Sequence, residues 1–162
     1  MNKIKIPKNR LRKLKTYTLG QKPYELQNLN SDKVNNKLID LCSNDYFGLS
    51  RDNNVIKASY ETSLCEGLGS GSSRFITGSR PIHKLLETDL QEWLNKDKVL
   101  LFPSGFQANI AAVQSLANRN SIIIADKFIH NSLLVGVKAS GSKLVRFAHN
   151  DLKDLEKKIL KF

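Results

Sequence analysis

The chain of 162 residues is 40% hydrophobic and 25% charged, which excludes a disordered polymer and fits one globular domain. No apolar run approaches the roughly 20 residues of a membrane-spanning helix, so no membrane partner is expected. The formal net charge is +11, but residues 1–24 hold eight of the 26 Lys and Arg and none of the 15 acidic residues. The remainder therefore carries little net charge, and no aromatic stacking platform backs the basic stretch, which argues against a nucleic-acid partner.

Residues 1–35 read as a basic N-terminal arm or helix. Its segment MNKIKIPKNRLRKLKTY lacks a continuous apolar region and a small-residue cleavage site, so a secretory signal is not expected. Cys42 and Cys65 match no metal or redox spacing, and a cytoplasmic location is the default. The stretch SDKVNNKLIDLCSND then predicts a polar turn and a short strand, Leu38 to Cys42. NNVIKASYETSLCEG has helical spacing, with Val55, Ile56, Tyr60 and Leu64 on one face. A glycine-rich stretch, Gly67 to Arg80, separates it from a helix opened by Pro81, whose stripe is Leu85, Leu86, Leu90, Trp93 and Leu94. Val99 to Phe102 is an apolar strand candidate and a helix starts at Phe106. SIIIAD is a buried strand, HNSLLVGVKAS a helix and KLVRFAHN contains a strand, before a helix capped by Asp151. Alternating strands and helices predict a mostly parallel sheet with helices on both faces.

The sharpest local signal is PSGFQAN. Small residues end a strand where a helix begins, and the first turn of a helix offers unpaired N–H groups to an anion. Gly105 allows close approach and Ser104 adds a hydroxyl. An ordinary strand-to-helix turn produces the same pattern, and spacing alone favours that plain reading. The loop GLGSGSSRFITG is neither a Walker A loop, lacking Gly-Lys-Ser/Thr, nor a dinucleotide fingerprint, lacking the third glycine and a preceding strand. His130 lies four residues beyond the strand-ending Asp126, where a ligand role and a structural role are both open. His83 opens a helix and reads as a packing or capping residue. His149 lies at another strand end, and the three histidines form no metal-binding spacing.

Five stretches, LCSNDYFGLS, GSGSSRFITGSRPIHKLLETDLQEWL, LLFPSGFQANIAAV, IIIADKFIHNSLLVG and RFAHNDLKDLE, occur in the order and spacing of one family. From about Arg10 onward the chain resembles the pyridoxal 5'-phosphate (PLP)-dependent α-oxoamine synthases, and among them the branch that makes 8-amino-7-oxononanoate for biotin. The resemblance implies the aspartate-aminotransferase fold (fold type I), with residues 36–162 as the N-terminal portion of its PLP-binding large domain, and a homodimer. It implies that Ser104, Gly105 and Phe106 hold the cofactor phosphate and that His130 stacks on the pyridine ring. Asn44 matches a residue near the amino-acid substrate and reaction centre. Arg12, with Arg10 as the alternative, matches a substrate-contacting arginine. Ser73 and Arg74 lie in the loop matching the acyl-donor site.

The implied reaction joins L-alanine to a pimeloyl thioester, carried on coenzyme A or an acyl-carrier protein, with loss of carbon dioxide. Glycine C-acetyltransferase, or another α-oxoamine synthase, fits many of the same residues. The family's lysine motif, pyridine-pairing aspartate and following histidine have no counterpart here. The resemblance therefore implies a chain cut short and inactive alone, and a non-catalytic fragment or interaction module is the reading from another class.

Overall fold

A computed structural model describes residues 7, 11, 14–22, 24–28 and 37–162. Arg10 and Arg12 lie outside the described residues, as does the expected boundary between residues 35 and 36. The chain divides into two compact units, one ending at Gly69 and the other beginning at Ser70.

The first unit holds three short strands, β1 (Tyr17–Leu19), β2 (Glu25–Asn28) and β3 (Lys37–Ile39), paired antiparallel in that order. Tyr17 faces Asn28 and Leu19 faces Leu26, while Glu25 faces Ile39. The arm was expected as a basic stretch or helix, but its described residues 17–19 and 25–28 are strands. Tyr-Thr-Leu is a strand-prone triplet, and the Gly20 N–H donates to the Glu25 carbonyl at 2.7 Å to turn the chain back. The strand expected at Leu38 to Cys42 ends earlier, at Ile39. Asp40 Oδ1 accepts the Cys42 N–H at 2.9 Å, a side-chain turn that bends the backbone out of the ladder.

Helix α1 (Asn53–Glu66) follows a short 3₁₀ turn, Leu49–Arg51. Asp52 caps it, its Oδ1 accepting the amides of Asn54 at 2.8 Å and Val55 at 3.1 Å, which meets two of the orphan donors of a helix start. Arg51 Nη1 donates to the Gly20 carbonyl at 3.0 Å and ties the 3₁₀ turn to the hairpin.

The second unit opens with α2 (Pro81–Leu94), where His83 Nδ1 accepts the Arg80 N–H at 3.0 Å, the capping role expected of it. The strand expected at Val99 to Phe102 does not form. Among the described residues no ladder partner pairs with it, and the Leu101 N–H donates to Glu87 Oε1 at 3.1 Å.

Then come α3 (Gly105–Leu116), β4 (Ile122–Asp126), α4 (Asn131–Ser140), β5 (Lys143–Phe147) and α5 (Leu152–Ile159). Strands β4 and β5 are parallel, with Ile122 opposite Lys143 and Asp126 opposite Phe147, as a strand–helix–strand unit requires. Helix α5 lies against both strands, capped by Asp151, whose Oδ1 accepts the Asp154 N–H at 3.0 Å. Ala125 and Val137 are the buried hydrophobic residues among those described, and Ser132, between them in sequence, is fully buried. No described helix is long and apolar enough to cross a membrane.

Candidate cofactor and substrate site

Ser104 is the N-cap of α3. Its Oγ accepts the Gln107 N–H at 3.3 Å and its carbonyl accepts the Ala108 N–H at 3.1 Å. The next two amides back, of Gly105 and Phe106, have no intrahelical acceptor available at a helix start. They carry the positive end of the helix dipole. A methyl group placed on Gly105 would meet nothing within 4 Å, so no side chain or backbone packs against the turn at that point.

The same end of the unit receives His130. A side chain on Gly136 would approach Val113 Cβ to 2.9 Å and Ile110 Cα to 3.3 Å, so α3 and α4 touch there through the glycine. One turn earlier on each helix, Asn109 Nδ2 lies 2.9 Å from Ser132 Oγ. Advancing four residues on one helix thus advances four on the other: the helices run parallel and their N-termini point the same way. His130 caps α4, its Nδ1 accepting the Ser132 N–H at 3.2 Å and lying 2.6 Å from Ser132 Oγ. Three expected phosphate residues and the expected ring-stacking histidine therefore share one end of the α3–α4 pair. That end is the carboxyl edge of β4, the usual ligand side of a parallel sheet.

At this edge Asp126 Oδ1 accepts the Phe128 N–H at 2.7 Å, and Oδ2 accepts the Asn150 N–H at 3.0 Å. His149 Nδ1 lies 2.9 Å from Oδ1. The two amides, with the histidine after them, hold the Asp126 carboxyl down at about 2. His149, half exposed, thereby braces the ends of β4 and β5.

The glycine-rich loop is anchored rather than free. Arg74 donates from Nη1 and Nη2 to the two carboxylate oxygens of Glu87 on α2, at 2.7 and 3.1 Å. That fork, with the Leu101 amide, lowers the Glu87 carboxyl to about 2. The guanidinium charge of Arg74, expected to face substrate, is thus committed to α2. Ser73 is exposed, its carbonyl accepting the amides of Ile76 and Gly78. Arg74, Phe75, Ser79 and Leu100 to Phe102 line a cavity of about 340 Å³.

Asn44 belongs to the first unit and is exposed on a bend after β3. Asp45, beside it, holds that bend by accepting the Ser50 hydroxyl at 2.6 Å. A cavity of about 380 Å³ flanks the bend, lined by Tyr24, Asp40, Ser43, Tyr46 and Phe47 among others.

Sequence reading missed Asn109 and Ser132. The faint signals were a hydroxyl two residues after a histidine at a helix start, and an amide one turn inside the preceding helix.

Residues 36–162 match the family model for aminotransferase class I and II. The 8-amino-7-oxononanoate synthase of Thiobacillus denitrificans is 37% identical over 123 residues, which are 76% of this chain and 32% of that protein. Its counterpart from Photobacterium profundum is 42% identical over 118 residues, 73% of this chain and 30% of that one. The chain thus spans about a third of the length of the curated relatives it matches. Among solved structures, a lysine-to-alanine variant of the serine palmitoyltransferase of S. paucimobilis with a bound PLP–myriocin aldimine superposes with a TM-score of 0.81 at 26% identity, over 92% of this chain and 36% of that one. The 8-amino-7-oxononanoate synthase of Francisella tularensis gives 0.63 at 31% identity, over 74% and 33%. The expected α/β transferase fold, incomplete, is borne out by these likenesses.

Proposed function

The chain belongs to the aminotransferase class I and II family, and on that premise we propose that its α3–α4 end is the phosphate-and-ring half of a PLP site. The reaction proposed for a protein of the relatives' length is decarboxylative condensation of L-alanine with a pimeloyl thioester to 8-amino-7-oxononanoate. The observation that carries the reading is the parallel helix pair, which sets the amides of Gly105 and Phe106 and the imidazole of His130 at one end.

The residues present fit the cofactor on their own chemistry. Two amides without helical acceptors, next to an open space at Gly105, suit a phosphate. The Ser104 hydroxyl adds a contact once it swings from its cap. The exposed ring of His130 offers a flat face to a pyridine ring, and its cap holds that face at a fixed angle, an orientation effect. Bound PLP supplies an electron sink for a carbanion. On the family resemblance we propose that Asn44 and Arg12, with Arg10 as the alternative, serve the amino acid and the Ser73–Arg74 loop the acyl thioester, with Arg74 shaping that loop through Glu87. The active assembly is proposed to be a homodimer.

Titrating the chain with PLP and following its absorbance tests the site. Gly105→Ala adds a methyl to the turn a phosphate would approach, so binding is expected to weaken roughly tenfold, the loss of about one hydrogen bond to a charged group. His130→Ala is expected to weaken binding and shift the absorbance band. Unchanged affinity and spectrum in both variants would sink the reading.

The serine palmitoyltransferase likeness, which spans more of the chain, favours a second reading: another α-oxoamine synthase, with a different amino acid and acyl group. Turnover of a protein of the relatives' length with alanine and pimeloyl thioester, set against glycine or serine with other thioesters, separates the two.

A further inference from the structure

We infer that Asn109 and Ser132 are positioning residues that hold the His130 imidazole in its Nε2–H tautomer. The Ser132 backbone N–H can only donate, and it points at His130 Nδ1 from 3.2 Å. A lone pair must therefore sit on Nδ1, which places the hydrogen of the neutral ring on Nε2.

A second donor reinforces the first. The Ser132 hydroxyl lies 2.6 Å from the same Nδ1, and Asn109 Nδ2 reaches the hydroxyl oxygen at 2.9 Å. An amide NH₂ donates only, so the serine oxygen accepts from Asn109 and turns its own hydrogen to the ring. The relay runs in one direction: Asn109 on α3, Ser132 on α4, then His130. Ser132 is fully buried at 0% exposure, so water does not compete for its hydroxyl.

The parallel packing of the two helices is what makes the relay reach. Gly136 lets α4 sit against Val113 and Ile110, and that contact brings Asn109 opposite Ser132 one turn earlier. Nε2 has no partner among the described residues, so its N–H is the ring group left to meet a ligand. It suits an oxygen acceptor; the other tautomer would present a lone pair there and repel one. That the ligand is a PLP complex rests on the reading above; the tautomer does not.

The test is long-range ¹H–¹⁵N spectroscopy of the full chain, labelled at histidine, without cofactor and in mildly alkaline solution. His130→Gln identifies the resonances. In the unsubstituted chain His130 is expected as a single Nε2–H species. Ser132→Ala keeps the backbone N–H on Nδ1 but removes the hydroxyl donor, so a minor Nδ1–H population should appear beside the Nε2–H form. Asn109→Asp replaces the donor by an acceptor, which turns the serine hydrogen away and draws the ring hydrogen toward Nδ1. A free-imidazole mixture or an Nδ1–H ring in the unsubstituted chain overturns the inference, whether or not either variant folds. So does an unchanged ring in both folded variants. Adding PLP then separates the two ideas: resonances of His130 that do not move, with the tautomer intact, count against the cofactor site alone.

Discussion

Gly105 and Gly136 both sit in helices, and a single methyl group distinguishes what each is for. At Gly136 it would press to 2.9 Å from Val113 Cβ, in a contact that sets the α3–α4 spacing. Gly136→Ala is expected to lower stability by about 1–3 kcal/mol, the usual cost of overpacking, read from urea unfolding. At Gly105 the same methyl meets nothing, so stability should change by no more than about 0.5 kcal/mol while PLP binding weakens. Equal losses of stability would show that Gly105 serves the fold. Asp126 makes a second residue-level case. Its carboxyl, ordinarily 3.8, is held at about 2 by the Phe128 amide first, then the Asn150 amide and His149. A depressed value means the folded chain favours the carboxylate. The stabilisation is complete above about pH 4 and is lost as pH falls toward about 2. Glu87 titrates in the same window, so Asp126→Asn should flatten, not abolish, the acid limb of a urea-midpoint profile against pH. An unaltered limb would mean the amides do not hold the charge.

At the level of elements, one carboxylate joins three segments. Glu87 on α2 takes the fork of Arg74 from the glycine-rich loop and the Leu101 amide from the stretch before α3. Glu87→Gln keeps an acceptor for Leu101 but loses the charge that matches the guanidinium. The loop around Ser73 and Arg74 should then exchange its amide hydrogens faster and be cut sooner by trypsin, with α4 and β5 unaffected. Uniform acceleration through both regions would point instead to general destabilisation. What was legible in the sequence divides along similar lines. Helices α2, α3 and α5 announced themselves through Pro81, the Ser104–Gly105 step and Asp151, because caps and apolar periods are local features. Strands β4 and β5 were legible as short apolar runs separated by a helix. Val99 to Phe102 looked the same and failed, because a strand needs a partner and Leu101 gave its amide to Glu87. Strands β1 and β2 were hidden within a stretch whose basic charge dominated the reading. Ser104, Gly105, Phe106 and His130 lie in their motifs at the ends of elements, where sequence points to a site. Asn109 and Ser132 act through a contact across 23 residues, which only the packing of two helices creates.

The described residues bury little apolar surface within their own units. Ala125 and Val137 are the buried hydrophobic residues among those described, whereas Trp93 is 80% exposed and Val55, Ile56, Tyr60 and Leu64 leave one face of α1 open. On α2, Leu85, Leu86 and Leu94 are exposed as well, so the stripe that predicted the helix is in large part uncovered. Apolar surface left in water forgoes about 25 cal/mol per Å², and contiguous patches of it drive association. Charge opposes that drive unevenly, since the excess of Lys and Arg lies in residues 1–24 and the remainder is close to neutral. The chain is therefore expected to self-associate as concentration rises and to bind a hydrophobic dye. Raising salt should promote both, because repulsion between basic arms is screened within about 10 Å at 0.1 M while apolar contact is not weakened. Sedimentation velocity over a concentration series reads the first effect, and Trp93→Glu with Leu85→Glu should suppress it by placing charge within the α2 stripe. A single 18.3 kDa species at every concentration and salt level, without dye binding, would show that these faces are covered in solution.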